Sequence, residues 1–97
     1  MALKWPSKDP DEVLDYSLLW DEELPRLEDA VFSSSWRILN DDGSLIIDSD
    51  GIHASQHVTF VWLSGGTPEQ SYEVINTIVT DKGRTYERSA QLKVRQR

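Results

Sequence analysis

The sequence contains no cysteine among its 97 residues and no long run of apolar side chains. A chain without cysteine forms no disulfide bonds and has no thiolate chemistry, which is typical of proteins that fold in a reducing cytosol. No stretch approaches the roughly 20 apolar residues that a membrane span requires, and the opening MALKWP lacks the apolar core of a secretion signal. We therefore expect a chain that folds in the cytosol, contacts no membrane and is held together by apolar packing.

Basic side chains are also few. The net charge is −7, and the imbalance lies in residues 1–50, which carry 13 acidic and four basic side chains, whereas residues 51–97 carry four and six. Because affinity for a phosphate backbone comes from lysine and arginine, nucleic acid is not an expected partner. An uneven charge distribution can orient a subunit among its neighbours. The alternative is a soluble surface whose charge is merely uneven, and the sequence leaves both open.

The residues that are present predict an all-β chain. Apolar and polar side chains alternate in short segments, and no segment has the periodicity of an amphipathic helix. Strands are predicted over residues 13–20, 30–39, 45–47, 57–63, 72–80 and 84–95, with a further short strand at 52–53. Turn-forming residues between these segments are typical of two packed antiparallel sheets. The chain is therefore predicted to be an immunoglobulin-like antiparallel β-sandwich of about seven strands.

Turn signals connect the predicted strands. Residues 40–44, NDDGS, are predicted to close a hairpin because Asn, Asp and Gly tolerate the left-handed backbone of tight reversals. Residues 48–51, DSDG, predict a second turn, and residues 81–83, DKG, predict a third. Residues 21–29 contain five acids and a proline and predict a loop with at most one helical turn. The serines at 33–35 mark a place where a β-bulge would change which side chains point inward.

The tryptophans indicate where the core lies. Trp36 and Trp62 occupy strand positions and are predicted to be buried, because large aromatic side chains contribute much of the buried area of a small core. Trp5 lies in residues 1–12, a segment whose two prolines favour an extended arm or a short edge segment over a helix, and it is predicted to lie outside the core. The chain is thus divided into an extended N-terminal arm, residues 1–12, and a sandwich domain, residues 13–97.

Candidate catalytic and metal-binding groups are sparse. His53 and His57 on one strand would be about 13 Å apart, too far to share a metal ion. Residues 48–51 resemble the start of a calcium loop, but the glutamate of its twelfth position is missing, and a hydrogen-bonded turn is the simpler interpretation. Residues 64–66, SGG, lack the frame of a nucleophile elbow. We expect no catalytic residue, no metal, no cofactor and no small-molecule substrate.

Four blocks of the sequence carry a resemblance to a known family. Residues 5–16 read WPSKDPDEVLDY, residues 35–36 read SW, residues 61–67 read VWLSGGT and residues 72–85 read YEVINTIVTDKGRT. Together they resemble small tailed-phage and prophage virion proteins of the fibre-tail adaptor type. The chain departs from that pattern at residues 21–29, which carry extra acids, and at residues 40–44, where the loop is longer.

The resemblance implies a structural virion protein of the tail or neck, an adaptor that joins tail and fibre components through protein contacts. It implies several copies in a symmetric assembly, bound to other virion proteins and built in the cytoplasm of the bacterial host. A capsid decoration or cement protein is the first alternative. A carbohydrate-binding module, which needs exposed coplanar aromatic side chains, is the second.

The N-terminal arm is the expected interface with those partners. An extended segment binds by adding backbone hydrogen bonds to an open sheet edge and by placing an aromatic anchor in a pocket. A floppy terminus without a binding role is the alternative. The residues expected to form the interface are Trp5, Pro6, Asp9, Pro10, Asp11 and Glu12.

Overall fold

A computed structural model describes residues 3–22, 24 and 27–96 of the chain. Their secondary structure consists of strands and turns, as the alternating pattern predicts. No helix in this part of the chain is long and apolar enough to cross a membrane. The strands are β1 Leu3–Lys4, β2 Leu14–Leu19, β3 Val31–Ile38, β4 Leu45–Ile52, β5 Val58–Gly65, β6 Ser71–Thr80 and β7 Thr85–Lys93.

The strands form two sheets. One sheet has four strands in the order β1-β7-β6-β3, and the other has three in the order β2-β5-β4. Neighbouring strands are antiparallel, except that β1 pairs with β7 in parallel. The predicted all-β sandwich is confirmed, whereas the narrower immunoglobulin-like assignment stays a prediction. The predicted hairpin at residues 81–83 is confirmed and joins β6 to β7, with Gly83 at a φ of 82°.

Two of the predicted turns have a different role. Residues 40–44 do not close a hairpin, because β3 pairs with β6 and β4 pairs with β5, so this loop crosses from one sheet to the other. A turn signal indicates a change of chain direction but not the sheet that the next strand joins. The predicted turn at 48–51 is wrong, since these residues lie within β4. A register shift between Ile47 and Ser49 leaves Asp48 as an extra residue, and this bulge accommodates the turn formers in the strand.

The bulge anticipated in the strand before residue 40 is present. The pairing of β3 with β6 shifts between Val31 and Ser33, so the extra residue is Phe32, one position before the serines. Val31 is buried and Phe32 is 70% exposed. Beyond the bulge, Trp36 is half-buried and packs against the core, which is less burial than the sequence predicts.

The core contains two apolar clusters with a polar layer between them. Thr59 and Asn76 are fully buried in that layer. The indole of Trp20 donates to Thr59 Oγ1 at 3.2 Å, and Thr59 donates to Asn76 Oδ1 at 2.7 Å. The Asn76 amide donates in turn to Ser34 Oγ and the Ser35 carbonyl, both at 2.9 Å. The larger cluster comprises Tyr16, Leu45, Val61, Leu63, Tyr72, Val74, Leu92 and Val94, and the smaller comprises Trp20, Leu24, Val31 and Ile78.

The predicted burial of Trp62 is wrong. Its side chain is 39% exposed, because Thr59, Val61 and Leu63 are the residues of β5 that face the other sheet. Both sides of this strand are apolar in sequence, so alternation alone could not decide which side faces inward.

Candidate functional site

Residues 3–8 lie alongside β7, the last strand of the chain, and the residues that come directly after it. Leu3 and Lys4 pair with β7, the Trp5 amide donates to the Gln91 carbonyl at 2.9 Å, and Lys8 forms an isolated parallel bridge with Val94. The described part of the predicted arm is therefore an edge segment of the four-stranded sheet, the second form that the sequence allows. Met1 and Ala2 lie outside the described residues, and the division at residue 12 stays a prediction.

Trp5 packs on the domain itself. Its ring stacks on Tyr16 with centroids 4.7 Å apart and lies 6.0 Å from the ring of Trp36. The Tyr16 hydroxyl also donates to the Pro6 carbonyl at 3.0 Å. The prediction that Trp5 lies outside the core is therefore wrong, since the extended path along β7 brings its ring against the larger cluster.

Lys8 anchors the N-terminal segment. Its side chain is fully buried, and Nζ donates to the carbonyl oxygens of Asp9 at 2.8 Å and Gly65 at 2.7 Å. Burial lowers the pKa of Lys8, while the nearby carboxylates of Glu12, Asp9 and Asp11 act in the opposite direction. The bond to Gly65 joins the WPSKDPDEVLDY and VWLSGGT blocks, which are far apart in sequence.

Residues 9–12 form a closed turn. The Asp9 amide donates to Glu12 Oε1 and the Asp11 amide donates to Asp9 Oδ1, each at 2.8 Å, while the Glu12 amide donates to the Asp9 carbonyl. Asp9 is buried, Pro10 and Glu12 are half-buried, and Pro6 and Asp11 are exposed. The six predicted interface residues thus lie in a segment that packs on the domain's own fold, and their contact with a partner stays a prediction.

The glycines of the VWLSGGT block have a structural role. Gly65 has a φ of 73°, and a Cβ atom there would clash with the Ser44 carbonyl oxygen. The Gly66 amide donates to that same carbonyl at 3.0 Å, and a Cβ on Gly66 would lie 2.7 Å from Val94 Cγ2. Glycine is required at both positions because a second backbone or a packed side chain fills the space.

A carboxylate holds the neighbouring loops together. Asp42 accepts hydrogen bonds from the hydroxyls of Ser44, Thr67 and Tyr72 at 2.5, 2.8 and 2.9 Å. These hydrogen bonds hold the pKa of Asp42 well below its usual range, and the bond from Ser44 has the largest effect. Burial acts in the opposite direction and would raise this pKa. The 40–44 loop is therefore fixed to the domain.

The acidic loop at residues 21–29 is confirmed in its described positions, and Glu23 and Pro25 lie outside them. Burial acts to raise the pKa of Asp29, but hydrogen bonds from Thr80, the Ala30 amide, Arg84 and the Lys82 amide lower it to about 2. The ion pair of Asp29 with Arg84 measures 2.9 Å. This loop is thereby fixed to the turn between β6 and β7.

A surface that the sequence did not predict lies on the outer side of the three-stranded sheet. We call it the apolar face; Leu19 and Ile46 flank a row on β5, and its members are Leu19, Ile46, Val58, Phe60 and Trp62. Leu19 is 60% exposed, Ile46 47% and Trp62 39%. The apolar residues on both sides of β5 were the signal, because only one side of a strand can face the core.

A shallow groove adjoins the apolar face at Leu19. It has a volume of about 400 Å³ and is lined by Leu3, Ser17, Leu19, Asp21, Glu22 and Arg88. The guanidinium of Arg88 donates to the Leu19 carbonyl at 2.8 Å and lies 4.4 Å from the centre of the Trp20 ring. These contacts fix the Arg88 side chain at the groove.

The candidate metal ligands lie in other positions than the sequence suggested. His53 and His57 are at the turn between β4 and β5, where the His53 amide donates to the Val58 carbonyl, so they do not share a strand. Asp48 and Asp50 belong to β4 and not to a loop. Within the described residues, no three His, Cys, Asp or Glu side chains are grouped so that they could hold a metal ion.

A small sandwich with loops fixed by internal hydrogen bonds and one exposed apolar sheet face has the character of a structural, protein-binding domain. The chain belongs to the podophage GP4 fiber-tail adaptor protein gp77 family, which it matches over residues 8–93. The resemblance seen in the four sequence blocks is thereby confirmed, and the protein is a structural tail adaptor of a phage virion. Trp5 and Pro6 precede the matched region. No curated protein matches the sequence.

Proposed function

We propose that this protein joins tail and fibre components of the virion through protein contacts alone, in several copies around a symmetric assembly, and has no catalytic activity. Its partners are other virion proteins, with no nucleic acid, membrane or small-molecule substrate involved. The observation that supports this proposal most directly is the exposed apolar face. Large apolar side chains grouped on the surface of a small domain are typical of interaction sites.

The N-terminal segment is proposed as a second contact, since an adaptor must bind two bodies at once. Trp5, Asp9 and Glu12 shape the segment from within, and Pro6, Pro10 and Asp11 present its outer surface. Because Lys8 anchors the segment, its surface is already ordered before a partner binds. Such preorganisation lowers the entropic cost of association.

Removal of the gene from the phage genome tests the adaptor role. We expect the purified mutant particles to retain capsids and tails but to lack fibres in electron micrographs, and we expect a plasmid copy of the gene to restore the fibres. A capsid decoration protein would instead be found on the capsid lattice, with the fibres retained in its absence. Fibres on mutant particles, or wild-type particles without the protein, would contradict the proposal.

Charge reversal tests the N-terminal contact. Deletion of residues 1–12 is a poor test because it also removes the buried Lys8 and the Trp5 ring. Asp11→Lys changes an exposed side chain, and Asp81→Lys makes the same charge change in the exposed turn between β6 and β7. We expect Asp11→Lys to lower incorporation into particles several-fold relative to Asp81→Lys, as measured by quantitative mass spectrometry. Equal incorporation would remove this segment from the proposal.

A carbohydrate-binding role gains little from the exposed Trp62. Such modules use a platform of coplanar exposed rings, whereas Phe60, the next aromatic in the row, is half-buried over Gly51. A glycan array with competable binding would bring this alternative back.

A further inference from the structure

We propose that the apolar face binds a different virion protein, whose contacting surface is apolar at its centre and carries lysine or arginine at its edge. This inference rests on the proposed adaptor function and specifies the chemistry of one partner.

The apolar face is a row of side chains along β5, the central strand of its sheet. In the register of the sheet, Leu19 lies opposite Val58, and Trp62 lies between Asp15 on one neighbouring strand and Ser49 on the other. The Phe60 ring covers Gly51, where an added Cβ would lie 2.5 Å from Phe60 Cζ. The ring therefore occupies the space that a side chain at position 51 would take. An apolar surface of this kind suits the centre of an interface.

The charge around the apolar face is predominantly negative. Strands β2, β4 and β5 contain no lysine or arginine, and the adjoining groove is lined by Asp21 and Glu22 with one cation, Arg88, whose guanidinium is bound to a backbone carbonyl. Asp15 lies directly opposite Trp62 in the sheet. Because oppositely charged rims guide docking and like charges resist it, these carboxylates favour a partner with basic side chains around its apolar centre.

A second copy of the chain does not supply that partner. The rim of a second copy has the same excess of acids, so pairing two apolar faces would not supply the basic side chains that these carboxylates favour. The Arg37–Glu87 ion pair at 3.1 Å lies across the other sheet, and the exposed apolar side chains of that sheet, Leu3 and Phe32, are separated on its two edge strands. Among the described residues, none of the exposed large apolar side chains belongs to β6 or β7, the two central strands of that sheet. The occupant is therefore a different protein.

Site-specific photo-crosslinking in assembling particles tests the occupant. The probe is p-benzoylphenylalanine, placed in the full-length chain as Trp62→p-benzoylphenylalanine and, at a second position of the same face, as Ile46→p-benzoylphenylalanine. The matched control is Thr85→p-benzoylphenylalanine, because Thr85 is exposed and begins β7 in the other sheet, away from the residues of β7 that pair with the N-terminal segment. Each variant is expressed during infection with a phage that lacks the gene, and the particles are purified before crosslinks are identified by mass spectrometry.

We expect positions 62 and 46 to crosslink to one other virion protein, in peptides that combine apolar residues with lysine or arginine. Their yield should exceed that of position 85 by about tenfold, because the probe crosslinks only where it contacts the partner and the centre of an interface is where contact is closest. Crosslinks to another copy of this chain would overturn the choice of occupant. Incorporated probes that form no crosslink at either position would overturn the site. Neither result affects the adaptor role, which is tested separately by the fibres of the deletion mutant and by the presence of the protein in wild-type particles.

The rim charge is tested with Asp15→Lys, again compared with Asp81→Lys. We expect Asp15→Lys to reduce the crosslink yield from position 62 about tenfold, since it places a cation next to the basic rim of the partner. An unchanged yield would mean that the partner is not basic at this edge and would overturn that part of the proposal.

Discussion

The N-terminal segment and the apolar face differ in how they use their side chains. In the segment, Trp5, Lys8, Asp9 and Glu12 all make contacts within the domain. In the apolar face, by contrast, Trp62 and its exposed neighbours point away from the core. The comparison shows that a motif rich in aromatic, proline and acidic residues can serve the fold first, while a surface available to partners lies on a strand that appears in sequence to be core.

The largest expected effect concerns Gly65, whose carbonyl oxygen accepts the hydrogen bond from Lys8 of the N-terminal segment. Gly65→Ala should lower the free energy of unfolding by about 4 kcal/mol, because it adds a left-handed backbone cost to a clash with the Ser44 carbonyl. Gly83→Ala is the control, since Gly83 also has a positive φ but nothing lies within 4 Å of its added Cβ. We expect that change to cost about 1 kcal/mol. If urea unfolding gives equal losses of unfolding free energy for the two variants, the clash with the Ser44 carbonyl does not contribute at Gly65.

The anchor itself should come next. Lys8→Met keeps the length of the side chain but leaves the carbonyls of Asp9 and Gly65 without their donor. We expect a loss of about 3 kcal/mol in the free energy of unfolding, the cost of removing a charged hydrogen-bond donor from a buried site. Hydrogen exchange should show faster exchange of the Trp5 amide, which bonds to β7. A segment that stays protected in Lys8→Met would show that β7 holds it without the lysine.

A pair of tryptophan variants tests the difference between the N-terminal segment and the apolar face. Trp5→Ala removes a half-buried ring stacked on Tyr16 and should cost about 2 kcal/mol. Trp62→Ser removes an outward-facing ring and should change the free energy of unfolding by less than about 0.5 kcal/mol. Chemical denaturation of both proteins provides the measurement. Comparable losses would mean that Trp62 is part of the core, as the sequence had suggested.

Acid should destabilise the protein at Asp29, which belongs neither to the N-terminal segment nor to the apolar face. The folded pKa of Asp29 is about 2, below the usual value of about 4, so its contribution to stability is present above about pH 4 and is lost as the pH falls towards about 2. Asp29→Asn should therefore unfold at a lower temperature than the wild type at neutral pH, and the difference should shrink in acid. A difference in Tm that is independent of pH would show that the carboxylate charge does not matter there.

Strands with a one-sided pattern could be predicted from the sequence. On β2, Tyr16 and Leu18 alternate with Asp15 and Ser17, and they are the buried side. The β6–β7 hairpin was also predictable, because β-branched residues favour a strand and the DKG turn closes it locally. In both cases the residues that decide the structure are neighbours in sequence.

The remainder depends on contacts between distant residues. Residues 40–44 carry a clear turn signal, yet the next strand joins the other sheet because of its pairing with β5. Trp62 and Val61 are both apolar, and the sheet that covers one of them decides which is exposed. The apolar face could not be identified from sequence for this reason, and Trp5 could not be placed because its stacking partner Tyr16 is contributed by a strand of the other sheet.

The buried amide of Asn76 has a consequence for how the chain finds its alignment. Sliding β6 by two residues would leave every apolar side chain on its proper side, so alternation alone does not forbid it. The slide would, however, separate the amide from the hydroxyls of Thr59 and Ser34 and leave it without hydrogen bonds among apolar side chains. One polar residue in the middle of β6 thereby selects a single pairing register from several that bury the apolar side chains equally well.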